Sequence, residues 1–598
     1  MDTRALINCA MGRLPADIVI RNGTWACVQS GEFLEHSDVA ILRHRIAYVG
    51  EDASHTIGRQ TRIIDAQGRF IIPGLLDAHM HVESGMMTVT EFARAVIPHG
   101  TTGMFIDPHE IANVFGLRGV RLMVDEARQQ PIHVFVQMPS CVPSAPGLET
   151  PGETIGPNEV AEAMTWPGII GLGEMMNFPG VASADDKVLA EIAATRQADK
   201  IIGGHYASLD LGLPFHGYVA GGVQDDHEGT RLEDAVQRVR QGMRVLLRYA
   251  SAWHDVAAQA PAITKNGLNS SRFLLCTDDS HCETLLNEGH VDRAIRHAIE
   301  QGIPPMTVLQ MATLNTAEYF GVSRDLGLIA PGRFADLLLV KDLHNFIPDL
   351  VMSKGQVLAE NGRLIVELPQ MDYPDWALHS VHLPKSMSPS DFLLKVPLGI
   401  ESQKVIANVI GIIENQAPTK HLRIPIEIKG GEVKADNKKD LAKVALIERH
   451  HNTGVLQIGL VKGFGLSSSC AVASTVAHDC HHLIIVGMDD GAMAMAANAL
   501  TEMGGGQVVV KDGKIIGRVD LPIAGLMSNE PAPVIAKKVA TVLEGFKICG
   551  CQLHNPNMQL SLLALVVIPE LRISNLGLVD VDQFDFIPIF EQEDKEKN

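Results

Sequence analysis

The chain is short of positive charge: 50 Lys and Arg stand against 70 Asp and Glu in 598 residues, a net charge of −20. Nucleic acids and anionic membranes are held by basic patches, so neither is expected as a partner. The nine cysteines show no framework spacing, and an odd number excludes complete disulfide pairing. Long apolar runs are missing too. The longest late one, residues 560–569, falls well below the ~20 residues of a membrane-spanning helix. With no apolar segment behind leading basic residues, no secretion signal is expected, and the protein reads as cytoplasmic and reduced. No Gly-x-Ser-x-Gly frames a serine. Gly504-Gly505-Gly506 precedes no Lys-Ser/Thr, which speaks against a phosphate loop. Repeats and low-complexity tracts are likewise absent. What remains is a globular composition, 46% hydrophobic and 20% charged, in a chain long enough for several domains.

The most informative stretch is Pro73-Gly74-Leu75-Leu76-Asp77-Ala78-His79-Met80-His81, an apolar run ending in two histidines. Side chains at i and i+2 of a strand share a face, so His79 and His81 can reach one metal ion. Residues 63–76 read as a buried strand feeding that end. Further polar residues close further apolar runs: Glu174 after residues 169–173, His205 after 200–204, His227 after the Gly221-Gly222 pair, and Asp278 after 272–277. Helix-like stretches at 182–199 and 232–242 separate them. This alternation predicts a parallel (β/α)8 barrel, whose active site gathers at the C-terminal strand ends. Four imidazoles and two carboxylates without thiolates suit Mn, Fe or Zn, and they exceed the needs of one ion with an open position. Two ions sharing a carboxylate would use the whole set and supply a hydrolytic nucleophile, with Asp278 as ligand and general base.

On Asp77-Ala78-His79-Met80-His81, His205, His227 and Asp278 the chain resembles the amidohydrolase (metallo-dependent hydrolase) superfamily. Many of its members bridge their metals with a carboxylated lysine from the fourth strand. Glu174 in Gly173-Glu174-Met175-Met176-Asn177 replaces it here, which is similar to the adenine deaminase family. The segments His81 to Met87, Asp107-Pro108-His109-Glu110, Ser140-Cys141-Val142-Pro143, Cys276-Thr277-Asp278-Asp279 and, late in the chain, 463–466, 473–481 and 521–528 extend the resemblance over nearly the whole length. His482 departs from it, standing where asparagine is expected. The resemblance implies hydrolytic deamination of free adenine to hypoxanthine and ammonia by a metal-activated hydroxide attacking C6. It also implies a binuclear centre of Mn or Fe, with Zn open, and a homo-oligomer, a dimer being favoured. The zinc nucleobase deaminases that use Pro-Cys-x-x-Cys are a separate solution, since this chain has no such motif.

Several roles stay open at this level. Glu174 either bridges metals or shuttles a proton as a catalytic acid. Glu83 lies on the face of His81 if the strand continues, or else caps a helix. Asp107, His109 and Glu110 follow the run 101–106 and are candidates for substrate or supporting contacts, as is Glu228, whose alternative is a helix cap. Residues 463–482 place small residues and serines before His478-Asp479-Cys480-His481-His482. A Ser-His-Asp site, a second metal site, a loop reaching toward the barrel mouth and a structural turn are the readings of that segment. Residues 1–67 and 332–387 are expected to pair into a β-sandwich around the barrel (68–331), and 388–598 to form a C-terminal α+β domain of adenine-deaminase type. The acidic tail from Glu591 is expected to fray. Rival functions are another amidohydrolase acting on a related purine or cyclic amide, and a noncatalytic barrel serving as scaffold or ligand sensor.

Overall fold

The computed structural model describes residues 3–397, 403–414, 416–467 and 469–591. The expected fraying beyond Glu591 and the role of Ser468 lie outside the described residues. The chain forms two compact units. The first comprises residues 1–108, 121–140 and 157–371, and the second comprises 109–120, 141–156 and 372–598.

In the first unit a nine-stranded sheet is assembled from both flanks of the barrel sequence. Phe70–Pro73 pairs antiparallel with Leu337–Val340 and parallel with Ile18–Cys27, so the early and late segments share one sheet. Its core buries Ile20, Val39, Ile41, Ile71, Leu337, Leu339 and Met352. Residues 63–76, expected as a buried strand broken at Pro73-Gly74, are divided further. Arg62–Asp65 and Phe70–Pro73 belong to this sheet, and the barrel begins only at Leu75–His81. Gly74 makes the break possible, because a Cβ there would lie 2.1 Å from Thr102 Oγ1.

A six-stranded and a three-stranded parallel sheet together supply the eight strands of the (β/α)8 barrel. In chain order these are Leu75–His81, Thr101–Ile106, His133–Met138, Ile169–Met175, Ile201–Gly204, Asp225–Asp226, Arg244–Arg248 and Phe273–Cys276, the last resuming at Asp278–Asp279. Asp278 pairs with Met80 and Asp279 with His81, closing the last strand onto the first. Between the fifth and sixth strands the Gln224 N–H donates to the Ile202 carbonyl at 2.9 Å. Leu76, Ala78, Phe105, Leu246, Leu274 and Cys276 fill the interior, and Ala317, Phe320 and Leu326 close one end. Burial of such side chains contributes roughly 1.5–3 kcal/mol each.

Helices pack outside the barrel. Asp186–Gln197 starts at Asp185, whose carboxylate accepts the N–H groups of Lys187 and Val188. On this helix Glu191 is buried, and desolvation pushes its carboxyl up to about 7 despite Lys187. A carboxyl raised in the folded state is penalised when ionised, so the cost is absent below the unfolded value near 4.5 and complete above about pH 7. Glu191→Gln is therefore expected to stabilise the protein at pH 8 by about 1–3 kcal/mol and to have little effect at pH 4. Urea unfolding at the two pH values measures the difference.

The second unit is built on an eight-stranded mixed sheet running from Thr419–Glu427 at one edge to Lys514–Asp520 at the other. Alternation gives it two apolar faces. Val508 and Val510 join Ala496, Ala497 and Leu500 of the helix Asp490–Met503. Val509 faces the helix Ala532–Ile548, where a Cβ on Gly545 would sit 3.0 Å from it. All nine cysteines are free thiols and all are buried. Among the described residues no helix is long and apolar enough to cross a membrane.

Candidate metal centre

The first-unit residues singled out at strand ends converge. The His79 and His81 rings are edge to face, with centroids 4.8 Å apart, and the His79 ring stacks on His227 at 4.1 Å. Glu174 lies among the imidazoles. Its Oε1 is 3.6 Å from His81 Nε2, and its Oε2 is 2.7 Å from His205 Nδ1 and 3.1 Å from His227 Nε2. Asp278 Oδ1 completes the set at 3.2 Å from His81 Nε2 and 3.7 Å from His79 Nε2. Donors that each sit about 2.1 Å from a shared ion are separated by roughly 3–3.5 Å, so these spacings fit coordination. His79 Nε2 supports the same reading, being buried without a hydrogen bond 3.9 Å from Glu174 Oε2.

Electrostatics follow from crowding. Burial disfavours every charged ring here, and with His227 and His81 nearby it holds His79 well below the usual histidine range. His227 is also buried, but the Glu174, Asp278 and Glu228 carboxylates push it up to about 9. Asp278 is held far below the usual carboxylate range although burial opposes this, because His81, His227 and Arg248 face it.

Supporting contacts fix the donors. The Asp107 carbonyl accepts the His81 Nδ1–H at 2.8 Å, which leaves Nε2 as the lone-pair nitrogen. The Asp107 carboxylate accepts the Glu174 N–H at 2.8 Å, and the Ser140 hydroxyl donates to the Glu174 carbonyl at 2.8 Å. The Tyr218 hydroxyl accepts the His205 N–H and donates to the Met175 carbonyl, both at 2.8 Å. Asp77 takes the Thr277 N–H at 3.1 Å and the Thr277 hydroxyl at 2.6 Å, tying the first barrel strand to the last. Asp278 itself adopts φ of 52°, which interrupts its strand and re-aims the carboxylate.

Gly173 is required beside this cluster, since a Cβ would fall 2.1 Å from Asp107 Oδ2. Gly173→Ala is expected to displace that carboxylate and weaken metal binding about 10–100-fold, as loss of an outer partner does. Competition against a fluorescent chelator measures it.

The remaining candidates divide. Glu83 is buried, but the strand stops at His81 and Glu83 opens the short 3-10 turn Glu83–Gly85, so strand alternation does not place it beside His81. Glu228 does not cap the next helix, where Arg231 and Asp234 form the cap. It pairs with Arg248 and lies 3.9 Å from His227 Nε2. His109 and Glu110 belong to the second unit, where Glu110 meets His478 and His481. None of the hydrogen bonds among the described residues joins a serine of segment 463–482 to His478 or His481. Ser467 accepts from Lys511 and Ser474 donates to the Val476 carbonyl, so a Ser-His-Asp relay has no support.

Arg248 was not among the sequence candidates. It contacts Glu228, lies 2.8 Å from Asp255 Oδ2 and reaches Asp278 Oδ2 at 3.0 Å, all from a buried position. It closes the apolar run of Arg244–Arg248, the same signal that marked the other strand ends. Tyr218 lies inside the helix Leu213–Gly221 and carries no comparable signal.

Residues 70–358 match the amidohydrolase family, and residues 416–585 match the adenine deaminase C-terminal domain. The chain is similar to adenine deaminase 3 of Rhizobium meliloti (strain 1021), at 57% identity over 97% of both chains. It is also similar to the adenine deaminase of Mesorhizobium japonicum, at 56% identity over 98% of this chain and 96% of the relative. That of Ruegeria pomeroyi is 57% identical over 98% of this chain and 97% of its own.

Proposed function

The chain belongs to the adenine deaminase family of amidohydrolases, and from that premise we propose that it hydrolyses free adenine to hypoxanthine and ammonia. The amidohydrolase family implies a divalent metal centre. The observation that carries the reading is Glu174, set in the fourth barrel strand among His79, His81, His205 and His227 with both carboxylate oxygens engaged. That engagement favours Glu174 as a carboxylate shared between two ions over a proton shuttle. His79, His81 and Asp278 would hold one side, and His205 and His227 the other. Manganese or iron suits these nitrogen and oxygen donors, and zinc accepts them as well. Divalent ions bound there lower the pKa of water and supply a nucleophile near neutral pH.

The chain's own groups account for the proton traffic. Adenine and water give hypoxanthine and ammonia, so one proton must leave the attacking water and the amino group must gain one. Asp278 is the acceptor and later the donor. Arg248, 3.0 Å from its Oδ2, keeps that carboxylate ionised and oriented. Asp107, Ser140 and Tyr218 hold the fourth- and fifth-strand residues in register.

The test is chelator-stripped protein reloaded with Mn2+ or Fe2+ and supplied with adenine. Stripped protein is expected to be silent, and reloaded protein to release ammonia and hypoxanthine in equal amounts. Adenine left untouched by metal-loaded protein would overturn the substrate and send the search to related purines and cyclic amides.

A further inference from the structure

The second unit holds a further cluster of imidazoles and carboxylates. His109 and Glu110 begin the helix His109–Ala127, and His478 and Asp479 lie in the connection between the strands Cys470–Ser474 and Leu483–Gly487. Each neighbouring pair presents one imidazole and one carboxylate. His478 Nδ1 is 3.3 Å from Glu110 Oε1 and 3.7 Å from Asp479 Oδ1, while His109 Nε2 is 4.0 Å from Asp479 Oδ1. Glu110 and Asp479 are nearly fully buried, and His478 is only 11% exposed.

We infer that His109, Glu110, His478 and Asp479 form a further binding site for one divalent transition-metal ion. Three observations support this. First, a donor atom from each of His109, Glu110 and His478 lies within 4.8 Å of the others, and the four-residue set is the mixed imidazole and carboxylate type that borderline divalent cations prefer. Second, Glu110 Oε1 and Asp479 Oδ2 are buried without a hydrogen bond among the described residues, an expensive state for carboxylates that a cation relieves. Third, the surrounding groups orient the donors instead of neutralising them. The Ala477 N–H donates to His481 Nδ1 at 3.2 Å, so the neutral ring carries its proton on Nε2, 3.1 Å from Glu110 Oε2. His481 thus faces one oxygen of Glu110, and the other faces His478. Glu149 Oε1 is engaged elsewhere, accepting the Ser144 hydroxyl and the Ala145 N–H. Glu110 and Asp479 bring two carboxylates to His478, matching the charge of one divalent cation.

A network of ion pairs alone would show the same proximity but no metal. The test therefore counts metal, apart from any turnover. Full-length protein is stripped and titrated with Co2+, with bound cobalt measured by elemental analysis after gel filtration. Wild type is expected to hold about one equivalent per chain more than Glu110→Gln, His478→Ala or Asp479→Asn, and these variants are expected to keep whatever the barrel centre binds. Equal cobalt content in wild type and in variants with native circular dichroism overturns the site. A second measurement on wild type alone guards against misfolded variants. Histidine modification read by mass spectrometry is expected to fall at His109 and His478 when Co2+ is added, and unchanged modification there also overturns the site. Neither readout depends on adenine being the substrate, so the deamination reading and this one fail separately.

Discussion

Asp278→Asn is expected to lower kcat for adenine deamination by roughly 10²–10⁴-fold, the range for losing a positioned general acid and base. Asparagine keeps the size of the side chain and one carbonyl oxygen for a cation, and it tolerates the left-handed backbone that Asp278 occupies at φ of 52°. What it lacks is an ionisable oxygen. The variant should therefore fold and retain most of its metal while turnover collapses. Paired measurement of kcat and metal content separates the explanations. Loss of metal in parallel with activity would make Asp278 mainly a ligand, and preserved activity would remove it from the chemistry.

Arg248→Met is expected to cost about 3–5 kcal/mol of stability, because it removes the one guanidinium that Glu228, Asp255 and Asp278 share and leaves three clustered carboxylates without it. Burial alone would pull the Arg248 charge down, yet the facing carboxylates hold its pKa well above the ordinary arginine value. Activity should fall with stability, since Asp278 Oδ2 loses the donor 3.0 Å away. Arg248→Lys supplies the charge without the planar fork and should restore part of the stability and less of the turnover. Denaturant unfolding and kinetics on all three proteins check this, and a methionine variant as stable as wild type would overturn the account.

The two variants bear on how far the sequence reveals the site. His79, His81, Glu174, His205 and Asp278 follow apolar runs, His227 follows the Gly221-Gly222 pair, and the barrel architecture carries such positions to one mouth. Local pattern was enough for that. Arg248 ends a run in the same way, but an arginine is no metal donor, and its role as balancing charge depends on carboxylates from other parts of the chain. Tyr218 acts through backbone groups of other strands, so nothing in its own neighbourhood announces it, and the segment around Ser140 is marked by the resemblance while its bond to the Glu174 carbonyl is not. Domain limits were harder for a related reason. Hydrophobic periodicity is local, whereas the assignment of residues 109–120 and 141–156 to the second unit depends on partners hundreds of positions away, such as the His482 Nε2 bond to the Thr150 carbonyl. Within residues 63–76 the break at Pro73-Gly74 is legible in the sequence, whereas the separation of Arg62–Asp65 from Phe70–Pro73 depends on their pairing with Ile18–Cys27.

The buried thiols give the folded protein a built-in clock for its own opening. A reagent that alkylates cysteine meets none on the native surface, so each modification records an excursion that uncovered it. Cys9, Cys27, Cys276 and Cys282 lie in the first unit, and Cys141, Cys470, Cys480, Cys549 and Cys551 in the second. Peptide-resolved labelling rates would therefore tell whether the two units loosen together or one ahead of the other, without introducing a single probe.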